Sequence, residues 1–580
     1  MFYYSSNGNS AIFICLFEEK VKIFLYIILI PFFSLIIISC GDDKEEYSEN
    51  SGTTTDNTTT TSDTTAPTVE SISPTDNQSG VSITDNISVT FSEAMDTTSV
   101  TTNTSNSSCS GSIQLSSDNF SSCVKMSGSP TTSNSDKTFL ADPSDNLSYY
   151  TNYKIRLTTA VKDTSGNALG SQYETESGFK TSVQAWTGTK QIGNSDNNLV
   201  RDLTVDSSNN IYVAGYLKGD LDGNTSAGNW DIFITKYNPG GVRQWTSMYG
   251  SNSADLLYAV TTDTSNNIIV TGSTYGRMTG SRTPDNDEDV FVAKYYDNGT
   301  MQWINQFYTV GSEWGYGITT DSDNNIYVSG ATTNNFGDGA SNAGQKDFFL
   351  MKLYDNGTRQ WTTQMGTNGN EFGYDVAVSS SNNVYVAGEW QGNTWLAKHH
   401  DNGTQQWEKK LSGGNNLTWL GVAADTNNNI YVAGHSDGAL DGVSNAGSYD
   451  VYLAKYVDNG TKEWLSSVGT SSNESGDCCS IGLTVDTSNN IYVAAQTQGA
   501  LDGSNAGNKD IFLSKFYDNG TRIWIKQIGS SAADVVFGAS ADSSNNIFLG
   551  GYTSGGIDSN SSNGGQDGFL IKYNSDGDKE

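Results

Sequence analysis

Asp206-Ser207-Ser208-Asn209-Asn210-Ile211-Tyr212-Val213-Ala214-Gly215 decides the fold, because the chain writes the same phrase again and again. An Asn-Asn pair followed by an apolar run recurs from Asn266, Asn324, Asn382, Asn428, Asn489 and Asn545. The interval is roughly fifty-seven residues, the scale of one supersecondary unit in a repeat array. After each run comes a polar loop, then Asp-x-aromatic-x-x-Lys, as from Asp231 to Lys236, and in most copies a tight turn and Trp.

Within one copy, Leu203 to Val205, Ile211 to Gly215, Ile232 to Tyr237 and Arg243 to Thr246 read as four short strands separated by turn residues. Four strands per repeat is the blade of a β-propeller. In five later copies the last turn is Asp-Asn-Gly, as at Asp297-Asn298-Gly299 and Asp518-Asn519-Gly520, and Asn-Gly is expected to supply the positive φ angles of a tight hairpin. Trp-bearing fourth strands stand at Trp186, Trp245, Trp303, Trp361, Trp407, Trp464 and Trp524. The first precedes blade one, so the Trp186 strand is predicted to complete blade seven and close the ring, removing an open sheet edge. The pattern resembles the seven-bladed propeller-repeat family of bacterial cell-envelope proteins, over about Val183 to Tyr573. That resemblance implies a fold and no common chemistry.

Upstream the composition changes. Val69, Ile72, Val81, Ile83, Ile87, Val89 and Phe91 mark short strands broken by Pro74, Asn77 and Gly80, and Tyr153, Ile155 and Leu157 alternate. Ala66-Pro67-Thr68-Val69, Ile72-Ser73-Pro74, Val89 to Met95 and Asp163 to Leu169 resemble a bacterial Ig-like domain, which implies a β-sandwich used as a spacer or adhesive module. The expected fold is all-β, an Ig-like sandwich over 66–182 followed by a seven-bladed propeller over 183–580. Cys109 and Cys123 flank a short strand candidate of the sandwich; in an exported protein a disulfide is expected, clamping one hairpin.

The N-terminus reads as targeting sequence over 1–39. Lys20 and Lys22 precede an apolar run from Ile23 to Ile38 that ends Ser39-Cys40-Gly41. This resembles the lipobox of bacterial lipoproteins, and implies lipid attachment at Cys40 and a membrane partner. Glu18 and Glu19 do not suit an export signal, so Val21 is the expected start. Residues 40–65, acidic and Ser/Thr-rich, are too poor in apolar side chains to fold and read as a tether. Lipid anchoring at the bacterial outer membrane, in the cell envelope, is the expected location.

The chain carries 31 basic and 64 acidic residues, a formal charge of -33, which repels phosphate backbones and argues against nucleic-acid binding. The expected partners are a glycan or a protein, bound by a monomer, with no cofactor. The long loops all leave one face of the ring, where a site has room. One interval there is about eleven residues short, because the loop after Gly388 is truncated. The shortened loop holds Glu389 and Trp390, and Trp419 stands on the next blade; these three are the ligand candidates. Trp314 and Phe372 align with Leu199, Leu256 and Val535, a column read as core.

Asp222-Gly223, Asp338-Gly339, Asp441-Gly442, Asp502-Gly503 and the variant at Asp558 recur in the long loops. Such oxygen-rich loops suit Ca²⁺ or a purely structural turn, and recurrence favours structure. Cys479 aligns with an apolar column and, beside Cys478, reads as a small buried hydrophobe. His399, His400 and His435 sit in no nucleophile, zinc or triad motif, so catalysis is not expected. Binding or adhesion ranks first, a structural envelope role second, and a hydrolase or lyase at the loop face last.

Overall fold

The Asp-x-x-Asn-Asn phrase folds as the tight turn between the first and second strand of each blade. In the computed structural model Asp206 accepts hydrogen bonds from the backbone N–H of Ser208 and Asn210, the Asn210 amide and the Tyr212 hydroxyl. Asn209 takes a φ of 61°, the left-handed conformation that asparagine tolerates best after glycine. The first Asn of every pair does the same, with φ between 58° and 64°. The structure describes residues 63–580 except 106, 280–286, 340, 412, 414–417, 476–480 and 559, and the side chain of Trp419.

That first Asn also reaches across to its neighbour. Its side-chain oxygen accepts from Ser or Thr in the preceding blade's turn: Ser207 to Asn266, Thr264 to Asn324, Ser380 to Asn428 and Thr487 to Asn545. The series closes on itself, because the Ser543 N–H donates to Asn209 Oδ1 at 3.1 Å. The repeat phrase is therefore both a turn and a latch between blades.

Among the described residues, seven sheets follow one another from residue 198 onward. Blade one is Asn198–Val205, Ile211–Leu217, Asp231–Tyr237 and Arg243–Tyr249, hydrogen-bonded in that order. Blades two, three, four and five open with Asp255–Thr262, Glu313–Thr320, Glu371–Val378 and Thr418–Ala424. In blade six the inner strand is split into Glu474–Ser475 and Gly482–Val485 around residues outside the described set, which include Cys478 and Cys479. Blade seven is Asp534–Ala541, Ile547–Thr553, Asp567–Tyr573 and the early strand Lys190–Ile192, which pairs Gly568 with Ile192 and Leu570 with Lys190. The inner strands of neighbouring blades touch all the way round, including Asn198–Val205 against Asp534–Ala541. Apolar second and third strands interleave between sheets; Phe233, Phe291, Phe349 and Phe512 are wholly buried.

The closing strand differs from the sequence expectation in one respect. Trp186 lies before the strand, not in it. It is 8% exposed, packs on Phe548 with ring centroids 5.7 Å apart, and lies against Gly241 of blade one. Counted back from Ile192, which corresponds to Tyr249, the place of Trp245 falls at Gly188, so the two extra residues displace the indole from the ladder. In blades one to five the Trp is in the strand and its indole N–H donates to the next blade's turn, as Trp245 to Asp297 O at 3.1 Å and Trp407 to Asp458 O at 3.1 Å. The ring lies flat on a glycine there; a Cβ on Gly299 would come within 2.9 Å of Trp245. That glycine, at φ 83°, is the only residue of the Asp-Asn-Gly turn with positive φ. The preceding Asn instead accepts the N–H two residues on, as Asn298 from Thr300, so the turn needs one left-handed residue and not two.

The sandwich pairs Val69–Ser73, Ile87–Phe91, Thr138–Ala141 and Thr131–Ser133 in one sheet, and Ile113–Ser116, Asn152–Leu157 and Tyr173–Glu174 in the other. Phe91, Leu115, Phe139 and Ile155 fill the space between them. Cys109 and Cys123 form a disulfide. It does not clamp a hairpin: the strand between the cysteines, Ile113–Ser116, pairs with Asn152–Leu157, so the bond joins the loops at its two ends. On the turn face the Tyr150 hydroxyl donates to Ser208 O of blade one at 2.8 Å.

Candidate functional site in the axial cavity

Six of the inner strands carry a β-bulge at their middle. The register slips between Val200 and Asp202 in blade one, and at the same point in blades two to five and seven. A bulge leaves one residue unpaired and turns its side chain out of the regular alternation. Here the unpaired residues are Arg201, Tyr258, Tyr316 and Tyr374 in the first four blades, and Leu420 and Phe537 in blades five and seven. Together with Ile481 of blade six they line a cavity of about 80 Å³ on the ring axis. The same backbone device thus delivers a different set of side chains to one place.

Those side chains form two arcs. Tyr258, Tyr316 and Tyr374 stand in a row with ring centroids 5.5 Å apart between neighbours, tilted by 53° and 49°. Leu420, Ile481 and Phe537 make the apolar side. Between the arcs the Arg201 guanidinium lies 4.0 Å from the Phe537 ring and 5.6 Å from the Tyr258 ring, a cation held by aromatic faces. Two acids, Asp202 and Asp375, follow the bulge residue in blades one and four and line the same cavity. Burial pushes each carboxyl up to about 7, although two backbone N–H groups pull the other way on each. Alanine or glycine takes the position in Ala259, Gly317, Gly421, Gly482 and Gly538.

Of the sequence candidates, Glu389 connects to this cavity. It is the penultimate residue of the second strand of blade four, is half-buried, and accepts a hydrogen bond from Tyr374; burial raises its carboxyl. Trp390 is half-buried, 5.3 Å from the wholly buried Trp395, with Lys410 Nζ 4.7 Å from its ring. The truncated loop is a two-residue hairpin, Gln391 and Gly392, both with positive φ. Trp419 pairs with Gly434, the register position that Val200, Leu257 and Val536 hold in other blades; its side chain lies outside the described residues. Trp314 and Phe372 are half-buried and not core: Lys346 Nζ lies 4.2 Å from the Trp314 ring and 5.2 Å from Phe372, and Phe372 stacks on Tyr374.

The Asp-Gly loops have a local explanation. Asp222 pairs with Arg243 at 2.6 Å, Asp338 with Arg359 at 3.2 Å, Asp441 with Lys462 and Asp558 with Lys579, each holding a cation from the fourth-strand side of its own blade. The Asp opening the third strand is buried and accepts the N–H four residues back, as Asp347 from Ala343 and Asp450 from Ala446. His399 is buried, with Nδ1 3.2 Å from Gly403 O, and burial holds its imidazole down to about 4; His435 is held down to about 4 in the same way. Cys40 lies outside the described residues.

Sequence reasoning missed Arg201, Tyr258, Tyr316, Tyr374, Asp202 and Asp375. The bulge column does vary, from Arg201 through Tyr258, Tyr316, Tyr374, Leu420 and Ile481 to Phe537, but the columns of Leu199 and Val200 vary as much, so divergence alone did not single it out. Residues 63–181 match the bacterial Ig-like domain family, and residues 188–221, 302–337, 360–389 and 406–440 match the beta-propeller repeat family. The chain is a bacterial Ig-like domain followed by a repeat β-propeller. It is similar to an uncharacterized WD repeat-containing protein, L264, of Acanthamoeba polyphaga mimivirus, 26% identical over an alignment of 258 residues, with 35% of this chain and 19% of that protein covered. The match thus spans about a fifth of that relative's length. Among solved structures it is similar to the Neurospora crassa Pan2 WD40 domain, at 10% identity and a TM-score of 0.36, covering 64% of this chain and 88% of that one. It is also similar to YCF48 bound to D1 peptide, at 12% identity and a TM-score of 0.37, covering 68% and 97%.

Proposed function

We propose that the chain is a cell-envelope binding protein, lipid-anchored through Cys40 and held off the membrane by its acidic tether and Ig-like domain, with the propeller's axial cavity as its ligand site. One observation carries this reading. The repeated positions of the ring are engaged in turns and blade-to-blade latches, while the bulge positions vary and converge on a single cavity. Unlike polar and aromatic side chains meeting in one concavity are the usual composition of a binding site. Glu389 extends the site toward the shortened loop of blade four, where Trp390 forms its outer part.

A hydrolase is the second reading, favoured by the two carboxyls at about 7 that share the cavity. It is the weaker one. Each oxygen of Asp202 and Asp375 accepts a backbone N–H, which fixes the acids as braces between inner strands and leaves them poorly placed to move a proton.

The test is an array of glycans and peptides probed with a soluble fragment, residues 64–580, beside the same fragment carrying Tyr316→Ala and Tyr374→Ala. Ligands captured by the first and lost from the second support the reading. Equal capture by a folded double variant overturns it.

A further inference from the structure

We propose that Asn368 and Asn563 are sites of self-modification, where the side-chain amide becomes a carboxylate through attack by the next glycine's backbone nitrogen. Asn-Gly occurs seven times among the described residues, and in sequence the seven are alike, since glycine has no Cβ to shield its nitrogen. The fold holds five of them shut and leaves two open.

The reaction fixes what must be free. Hydroxide takes the proton of the glycine N–H, the nitrogen bonds to the asparagine Cγ, and the side-chain nitrogen leaves as ammonia. Water then opens the cyclic imide at either carbonyl. One product is aspartate; the other is isoaspartate, in which the main chain runs through Cγ. The step needs a glycine N–H that water can reach and an asparagine amide that can swing toward it.

Asn298, Asn356, Asn402, Asn459 and Asn519, in the third-to-fourth-strand turns, offer neither. Each following glycine donates its N–H to the carbonyl three residues back from itself, as Gly299 to Tyr296 O at 2.9 Å and Gly460 to Val457 O at 2.8 Å. Each asparagine Oδ1 is pinned by the N–H two residues on, at 2.9 or 3.0 Å. A tryptophan of the preceding blade covers each glycine: a Cβ there would come within 2.8 to 3.1 Å of the indole ring.

Asn368 leads into the inner strand of blade four, and Asn563 precedes the third strand of blade seven. Both side chains are exposed, and none of the described residues hydrogen-bonds to either. The Gly369 N–H reaches only Thr367 Oγ1, and the Gly564 N–H only Ser562 Oγ, each at 3.3 Å, beyond the usual range for an N–H donor. Those hydroxyls are engaged elsewhere, Thr367 with Glu371 and Gln391, Ser562 with Asp567. Neither glycine lies under an aromatic ring.

Both places matter to the ring. Gly369 packs on Gln391 of the shortened hairpin, so conversion of Asn368 puts a new negative charge beside the loop that carries Trp390. The Asn563 N–H braces Asp567 at 2.7 Å, and Gly564 lies against Ser195, just ahead of blade one. Isoaspartate at 563 adds a methylene to the main chain at the seam where the ring closes.

The experiment holds the full chain folded in mildly alkaline buffer, with a parallel sample in urea. Aliquots are digested in acid, and mass spectrometry follows the change from amide to acid at each Asn-Gly. In the folded chain Asn368 and Asn563 should convert roughly tenfold or more faster than each of the five turn asparagines. In urea the seven rates should converge to within a few-fold. A turn asparagine that converts in the folded chain as fast as Asn368 or Asn563 overturns the proposal. So does a tenfold spread that persists in urea, because the neighbours in sequence, and not the fold, would then set the order.

Discussion

The turn face and the axis of this propeller are built from the same repeat and follow opposite rules. At the turn face every blade presents an Asn in the left-handed conformation, and in blade after blade its side chain bonds to the neighbouring turn. At the axis a shared bulge presents arginine, tyrosine, leucine or phenylalanine according to the blade. Repetition marks the scaffold, because a ring closes only if each seam repeats the last. Divergence marks the place where the scaffold is indifferent to the side chain and a ligand can select it. If this contrast is right, damage to repeated positions should cost stability, and damage to axial positions should cost binding.

The largest stability loss should come from removing residues 183–193. Blade seven would lose Lys190–Ile192 and expose Asp567–Tyr573 as an open edge. Loss of Trp186 burial alone is worth about 3–5 kcal/mol. Thermal or urea unfolding should show a large drop in midpoint; an unchanged midpoint would mean that the Asn209–Ser543 latch closes the ring unaided.

Next is Trp407→Ala in the body of the ring. The indole donates to Asp458 O and is covered by the glycine turn of the following blade, yet it stays half-buried. The expected cost is about 2–3 kcal/mol, below that of a wholly buried Trp. Tyr316→Ala, on the axis, should cost less than this in urea unfolding. The reverse order would erase the distinction between the two regions.

The axial acids should reveal themselves through pH. Folding raises the carboxyls of Asp202 and Asp375 from 3.8 to about 7. Between those values the folded chain binds more protons than the unfolded one, so their contribution to stability falls as pH rises from about 4 through 7. Glu313, raised to about 7 by burial, acts in the same direction. His399 and His435, held down to about 4, act in the opposite one, since below pH 6.5 the unfolded chain takes their protons. The difference between variants isolates the acids: melting midpoints of Asp202→Asn with Asp375→Asn, relative to the unmodified chain, should rise between pH 5 and pH 8. A constant difference would show that neither acid titrates with folding.

The scaffold was legible in the sequence because its signals are local and repeated. Asn-Asn, Asp-x-aromatic-x-x-Lys and Asn-Gly each describe a few consecutive residues, and recurrence averages away the noise of any one copy. The displaced closing strand was not legible, since Trp186 matches the motif by identity while two added residues move it off the ladder. Nor was the single positive φ in Asp-Asn-Gly, because the alternative turn types share that dipeptide. The site was hidden for a different reason. A bulge shifts the alternation of an inner strand by one residue, so a strict period of two places Tyr316 and Tyr374 on the wrong face. Glu389 was found from loop length, and its link to Tyr374 depends on which strands adjoin in space.

The smallest effect should be the most informative about the repeat phrase itself. Asn324 has a φ of 63° and accepts from the Thr264 N–H and hydroxyl of blade two, at 3.0 and 2.8 Å. Its two roles can be separated. Asn324→Gly keeps the left-handed backbone without strain and removes only the latch, which is partly exposed, so the loss should be about 0.5–1.5 kcal/mol, the worth of a hydrogen bond in water. Asn324→Ala removes the latch and also forces a Cβ into the left-handed region, adding roughly 1 kcal/mol. Urea unfolding of the two variants should therefore rank Ala below Gly. Equal losses would mean that the latch alone explains the recurring Asn. A glycine variant as stable as the unmodified chain would mean that the Asn is there for the turn, and that the blades are held together by their sheets and by the Trp-glycine contacts.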